Sequence, residues 1–392
     1  MKKNQYLTLG GALLTGLTGL SGTAAAQSTM TMYGVVDAAM TYSSNQNGAS
    51  NVYMRSGNQQ SSRLGFRGTE DLGNGSQVVY VLEAGFNLDD GTSSQSGSLF
   101  NRQAYVGLSD EKAGTLTVGR QYTTYYMFVG PVGQVGAVTG ATGAHPGDYD
   151  GLDVTVRSNN AVSYVSPTWS GLQFGASVAA GEQAGHTGSG GTLSGAMRYV
   201  DDRLKVSLGY QLLKNGPTQT VWDPTASTSF GKSAVNNGYL SSESIQYVAL
   251  AARYQLNAFT LGGVLSGVQY HPNAQSLFRD TATLNTVNPF LLYQTSTPWL
   301  LSASYSYTKA SSANGITNTA NYRQLSLEQI YRLSKRTVLY LTEADQKARG
   351  QTLGANGTSV VNAVAVVGDS QTGTPSSTPN QHVFMAGISH VF

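Results

Sequence analysis

The chain has no cysteine, five histidines and few charges, 11% of its 392 residues, and each shortage removes a class of protein. Without thiols there are no disulfides and no thiolate metal sites, so a long exported chain must draw its stability from backbone pairing and burial. His145, His186, His271, His382 and His390 are scattered, with no spacing that suits a metal ion. A phosphate loop is missing too: in Phe230-Gly231-Lys232-Ser233, the glycine required five residues before Gly231 is Ala226. No Gly-x-Ser-x-Gly nucleophile elbow occurs. The expectation is no enzyme, no cofactor and no metal. After Gln27 no run approaches the 18 or so consecutive apolar residues of a membrane helix, which excludes helical spans.

What is present points elsewhere. Lys2 and Lys3, the apolar stretch Leu7 to Leu20 and Ala24-Ala25-Ala26 before Gln27 read as a cleaved signal peptide over 1–26, leaving 27–392 as one domain. That apolar stretch is too short to span a bilayer, which needs about 20 residues. Without the two lysines the 23 basic residues become 21, equal to the 21 acidic ones, and a neutral exported chain argues against a nucleic-acid partner. The chain carries 47 glycines and 23 tyrosines, and only 40% of it is apolar. That is too polar for a helical membrane protein and suits a transmembrane β-barrel, which needs apolar residues only at alternate positions, has a wet lumen and gathers tyrosine at the interfaces.

The strand from His382 to Phe392 places Phe384, Ala386, Ile388, His390 and Phe392 on one face. A terminal strand without a tail suits a closed sheet in which it pairs with the first strand, expected over 29–42, and leaves no edge. About seven short turn signals, among them Glu70 to Gly75, Ser109 to Gly114 and Leu333 to Arg336, alternate with long loops. Seven hairpin junctions plus the closing pair on the same side imply about 16 antiparallel strands. The second is expected as one piece over 52–69. The polar connections Asn215 to Ser242 and Arg349 to Gln381 are expected to face the outside. Tyr122 to Arg157 is different: it starts apolar at Tyr125-Tyr126-Met127-Phe128-Val129 and ends acidic. An apolar loop of that length is expected to fold into the lumen.

Met32-Tyr33-Gly34-Val35-Val36-Asp37, Ser62-Arg63-Leu64-Gly65-Phe66-Arg67-Gly68-Thr69-Glu70-Asp71-Leu72-Gly73, Phe100-Asn101-Arg102-Gln103-Ala104-Tyr105-Val106-Gly107-Leu108, Val118-Gly119-Arg120-Gln121-Tyr122 and the ending Gly387-Ile388-Ser389-His390-Val391-Phe392 resemble the Gram-negative general diffusion porins, most closely the beta-proteobacterial type. The resemblance spans 27–392 and is weakest in the long loops. It implies an outer-membrane homotrimer of 16-stranded barrels, among lipids and lipopolysaccharide, passing ions and small hydrophilic solutes. It also implies that the strand ending in Phe392 is read by the outer-membrane assembly machinery. Carried over residue by residue, a basic wall of Arg63, Arg102, Arg120 and Arg157 would face acids at Glu83, Asp148, Asp150 and Asp153, making a transverse field across the constriction.

Periodicity supports Arg63, since Leu64 and Phe66 share the opposite face; an arginine turned to lipid near the midplane would cost about 2 to 4 kcal/mol. For Arg102 to point inward by the same rule, Gln103, Tyr105 and Gly107 would have to face outward. Where such porins tend to carry a basic residue after the Tyr-Gly pair, this chain has Val35. The competing readings are a substrate-selective porin and an outer-membrane surface protein acting as adhesin or receptor. The bland alternative for Asp148 to Asp153 is a solvated loop, and for the arginines, ordinary lumen or rim charges.

Overall fold

The computed structural model describes residues 28–133, 135–153, 156–216, 233–369 and 375–392; the expected signal peptide and the Phe230-Gly231-Lys232 stretch lie outside them. Seventeen hydrogen-bonded segments form one closed antiparallel sheet. Two of these, Ala49–Ser56 and Arg63–Gly73, pair with successive parts of the same first strand and are halves of one strand, which leaves 16. In chain order they are β1 (Thr29–Gln46), β2 (the two halves), β3 (Ser76–Gly85), β4 (Gln103–Asp110), β5 (Gly114–Tyr122), β6 (Arg157–Val165), β7 (Leu172–Ala179) and β8 (Thr192–Val200). There follow β9 (Leu204–Lys214), β10 (Ser244–Leu256), β11 (Phe259–His271), β12 (Ala282–Gln294), β13 (Trp299–Ala310), β14 (Asn321–Arg332), β15 (Thr337–Arg349) and β16 (Asn380–Val391). The barrel closes between β1 and β16, with Val35 opposite Val391 and Tyr42 opposite Phe384. The expected pairing of the first and last strands is present.

Alternation sets the two faces. On β14 Leu325 and Leu327 point out while Gln324, Ser326 and Glu328 are buried in the lumen. On β16 Phe384 and Ile388 point out while Met385 and Ser389 point in. Tyr164, Trp169, Tyr199, Tyr254, Phe259, Tyr293 and Trp299 all remain exposed near the short-turn end. Phe259 stacks on Tyr293 at 4.7 Å and Trp299 meets Tyr331 edge-on at 4.9 Å. Such a ring of amphipathic aromatics is what a membrane–water interface favours.

The apolar core lies inside the barrel, on the infolded segment after Tyr122. Thr123 caps a short helix, α1 (Thr124–Val129). Its Phe128 sits over Gly175 of β7, and Tyr125 and Val129 over Gly209 of β9. Tyr125, Val129, Val132, Val138, Tyr149, Leu152 and Val156 join Tyr247, Val264, Val268 and Tyr270 of the wall in one cluster. Full burial of such side chains contributes roughly 1.5–3 kcal/mol each. Wall hydroxyls and amides fix the polar backbone of the segment: Ser194 Oγ accepts from the N–H of Tyr125 at 2.8 Å, Ser302 donates to the carbonyl of Val138 at 2.9 Å, and Gln324 donates to that of Thr142 at 2.9 Å. The loop therefore crosses the lumen from β8 to β13 and β14.

Two expectations fail. The second strand is interrupted over 57–62, where Gly57 takes φ +78° and the chain leaves the sheet. Gly-Asn-Gln-Gln-Ser-Ser is a turn-forming composition, and buried acceptors in the lumen reward the detour. The connection Arg349 to Gln381 does not simply face outward either. Beyond a small hairpin of Gln351–Leu353 with Val360–Asn362, residues Ala363, Ala365, Val366, Val367 and Asp369 are buried. In the connection from Asn215 to Ser242, Val235, Asn236 and Tyr239 are likewise buried, with Tyr270 donating to Asn236 at 2.6 Å.

Candidate functional site

A passage of about 510 Å³ runs between the infolded segment and the wall at the break in β2. Gln59, Gln60, Arg63 and Arg102 border it on one side, and Tyr126, Pro131, Leu152 and Asp153 on the other. The break is held by Asp37 of β1, whose carboxylate accepts the backbone N–H groups of Asn58, Gln59 and Gln60 at 3.0, 3.1 and 3.2 Å and the hydroxyl of Tyr340 at 2.8 Å. Asn58 then docks the infolded segment: its carbonyl accepts from the N–H of Ala141 at 2.8 Å and its side chain from that of Thr142 at 3.0 Å. Gly140 (φ +58°) makes this approach possible, since a Cβ there would lie 2.1 Å from the carbonyl oxygen of Asn58.

Glu83 of β3 organises the arginines. It is buried, 4% exposed, and accepts from Arg102 Nε at 2.7 Å, Tyr33 at 2.9 Å and Tyr122 at 3.1 Å, with Arg63 Nε 3.6 Å away. The expectation that Glu83 opposes the arginines across a gap is thus corrected: it stands among them on one wall and partly neutralises them. Burial works against the charge of Arg102, which lies just outside its strand, yet Tyr122 and the Glu83 carboxylate outweigh it and hold the guanidinium above its usual range. Arg102 and Arg157 both lie over the face of Tyr122, at 5.8 and 5.5 Å from its centre.

The faces expected for the neighbours of Arg102 are reversed. Gln103 pairs with Glu83 and Tyr105 with Val81, so Gln103, Tyr105 and Gly107 face the lumen, while Val106 and Leu108 face out. Arg102 escapes the alternation because it precedes the first residue of β4. Arg120 does not join the cluster. It registers opposite Ala104 on the face of Leu116 and Val118, and its guanidinium donates to the carbonyl of Asn101 at 2.8 Å, to Gln95 at 3.1 Å and to Asn159.

The loop acids divide. Asp150 is fully buried and turned to the wall, 2.5 Å from both His145 Nδ1 and Ser266 Oγ. Burial disfavours the His145 imidazolium, yet the Asp150 carboxylate outweighs it and raises His145 above its ordinary value. Asp148 is buried and accepts from the N–H of Asp153 at 2.8 Å. Neither acid borders the passage, in contrast to the expected row of three. Asp153 alone does, and its carboxyl is held well above the ordinary range by burial, then by the charges of Asp369 and Asp148, against the pull of Arg55 and Arg102.

Two charged residues escaped the sequence reading. Arg55 of β2 and Asp369 of the last long loop form an ion pair at 2.7 Å, 4% and 3% exposed. For Arg55 a signal existed, because Val52 and Met54 are apolar at alternate positions and Arg55 falls on the wet face. Asp369 lies in a loop without periodicity.

Residues 12–351 match the model of a family described as Gram-negative porin. Outer membrane porin protein 32 of Delftia acidovorans is 28% identical over 385 residues, covering 95% of this chain and 96% of that one. An outer membrane porin protein of Bordetella pertussis is 34% identical over 228 residues, which span 52% of this chain and 59% of its own length. Among solved structures, the anion-selective porin from Comamonas acidovorans superposes with a TM-score of 0.71 at 23% identity, over 93% of this chain and all of that one. With the closed 16-stranded barrel, its apolar exterior and its infolded loop, the chain belongs to the Gram-negative porin family and is a multi-pass β-barrel of the outer membrane.

Proposed function

We propose that the protein is a water-filled pore, homotrimeric as the sequence resemblance implies, through which ions and small hydrophilic solutes diffuse passively with a preference for anions; it is not an enzyme. One observation carries this reading: among the described residues, the passage is bordered by Arg63 and Arg102 on the wall and by a single acid, Asp153, on the facing loop. Low local dielectric and a narrow gap let these charges act despite screening over about 8 Å at physiological salt. The similarity in fold to the anion-selective porin from Comamonas acidovorans points the same way.

Planar-bilayer recording in a salt gradient tests it. Large ohmic steps in groups of three, with a reversal potential on the anion side, are expected; silence under conditions that insert a control porin would sink the pore reading. Arg102→Gln leaves Glu83 without its nearest cation and is expected to move the permeability ratio toward cations by roughly two-fold or more. An unchanged reversal potential would remove Arg102 from the selectivity mechanism.

The raised Asp153 carboxyl gives a pH dependence. Its neutral form persists above the ordinary carboxylate range and adds no negative charge to the passage. Ionisation as pH rises through that elevated value adds one, so anion preference is expected to fall over that window and to recover on acidification. In Asp153→Asn this step should be missing from the reversal potential measured against pH, and its survival there would assign the titration to another group.

A further inference from the structure

We infer that Asp369 is a selectivity-determining residue, carried to the basic wall by the last long loop, where it cancels the charge of Arg55 and so limits the anion preference of the pore; this rests on the pore reading above. The loop is built to deliver it. Gln346 grips Val366 through two bonds of 2.6 Å, and Gln381 accepts from the N–H of Val367 at 2.8 Å. The chain then clasps the infolded segment. The carbonyl of Gly368 accepts from the N–H of Gly147 at 2.8 Å, and the N–H of Asp369 donates to the carbonyl of Ala141 at 3.1 Å. The carboxylate ends 2.7 Å from Arg55.

The surroundings make that carboxylate consequential. Arg55, Arg102, Arg157 and Asp369 share one small polar pocket that adjoins the passage through Gly57, Ser61 and Arg102. Three guanidiniums face it. Glu83 already serves Arg102, and among the described residues Arg55 Nε has no hydrogen-bond partner and Asp369 is the carboxylate bonded to the Arg55 guanidinium. Because both members are almost entirely out of water, removal of one leaves a net charge that salt screens poorly.

The test is the reversal potential of the purified full-length protein in a potassium chloride gradient. Asp369→Asn, close to isosteric, is expected to raise the anion-to-cation permeability ratio by roughly two-fold or more at low salt, with a smaller shift near 1 M. Arg55→Gln should move it the other way, Asp369→Glu should leave it near wild type, and the double variant Arg55→Gln/Asp369→Asn should restore it. A ratio unchanged in Asp369→Asn, or a double variant that keeps the single variant's shift, would overturn the assignment and leave the pair a structural clasp only. Since the double variant also lacks the clasp, its restored ratio would separate charge from loop position. A wild-type protein silent in bilayers would overturn this inference together with the pore reading, whereas conducting wild type with no shift in Asp369→Asn rejects the inference alone.

Discussion

Asp37→Ala is expected to widen the passage and to destabilise the protein by about 3 kcal/mol or more. Asp37 accepts three consecutive backbone N–H groups and the Tyr340 hydroxyl. A buried donor left without a partner costs about 1–3 kcal/mol, and alanine offers no acceptor. The break in β2 would lose its fixed shape. With it would go the carbonyl and side chain of Asn58 that dock Ala141 and Thr142, so the infolded segment would lose its hold on that wall. The barrel itself should still close, because the ladders of β1 with β2 and β16 do not use this carboxylate. The measurements are single-channel conductance, expected to rise, and the temperature at which the protein's compact electrophoretic form is lost, expected to fall. A conductance equal to that of wild type would mean that the detour in β2 does not support the constriction.

Gly34→Val should block closure of the barrel. A Cβ at position 34 would lie 2.3 Å from the ring of Phe392 and 2.7 Å from the carbonyl oxygen of Arg63. The ring can swing away, but the carbonyl belongs to the β1–β2 ladder, where Gly34 is opposite Leu64. Gly34 also exchanges both backbone bonds with Phe392, at 3.1 Å each. Overpacking typically costs about 1–3 kcal/mol, and here it falls on the seam that leaves the sheet without an edge. Refolding into lipid or detergent, read as the fraction migrating in the compact form, should drop severalfold. Gly188→Val, at a position with open space around it, is the control expected to refold like wild type. Equal yields for the two variants would show that the seam tolerates bulk at position 34.

The strand count, the closing partner of the last strand and the inward course of the loop after Tyr122 were all legible in the sequence. Alternation is a local property, and in this closed barrel apolar side chains recur on the outer face of the strands. The same alternation orients Arg63 and Arg55. It does not reach Arg102, which stands one residue outside its strand, and at Arg120 it places the residue on the face of Leu116 and Val118, against the inward position that the porin resemblance implies. The detour over 57–62 has a compositional signal in Gly57, Asn58, Ser61 and Ser62. The apolar run Val360 to Val367 in the last loop likewise met the criterion that places the Tyr122 loop inside.

By itself, then, the sequence determined what depends on short-range periodicity and composition: a closed membrane barrel of about 16 strands with one loop turned inward. Tertiary structure alone decided which charges meet. Glu83 is gathered with Arg63 and Arg102 on one wall, Asp150 is spent on His145 and Ser266, and Asp369 crosses 314 positions of chain to reach Arg55. Ion pairing depends on distance in space to within a few ångströms, and loops without periodicity carry no local record of where their side chains end.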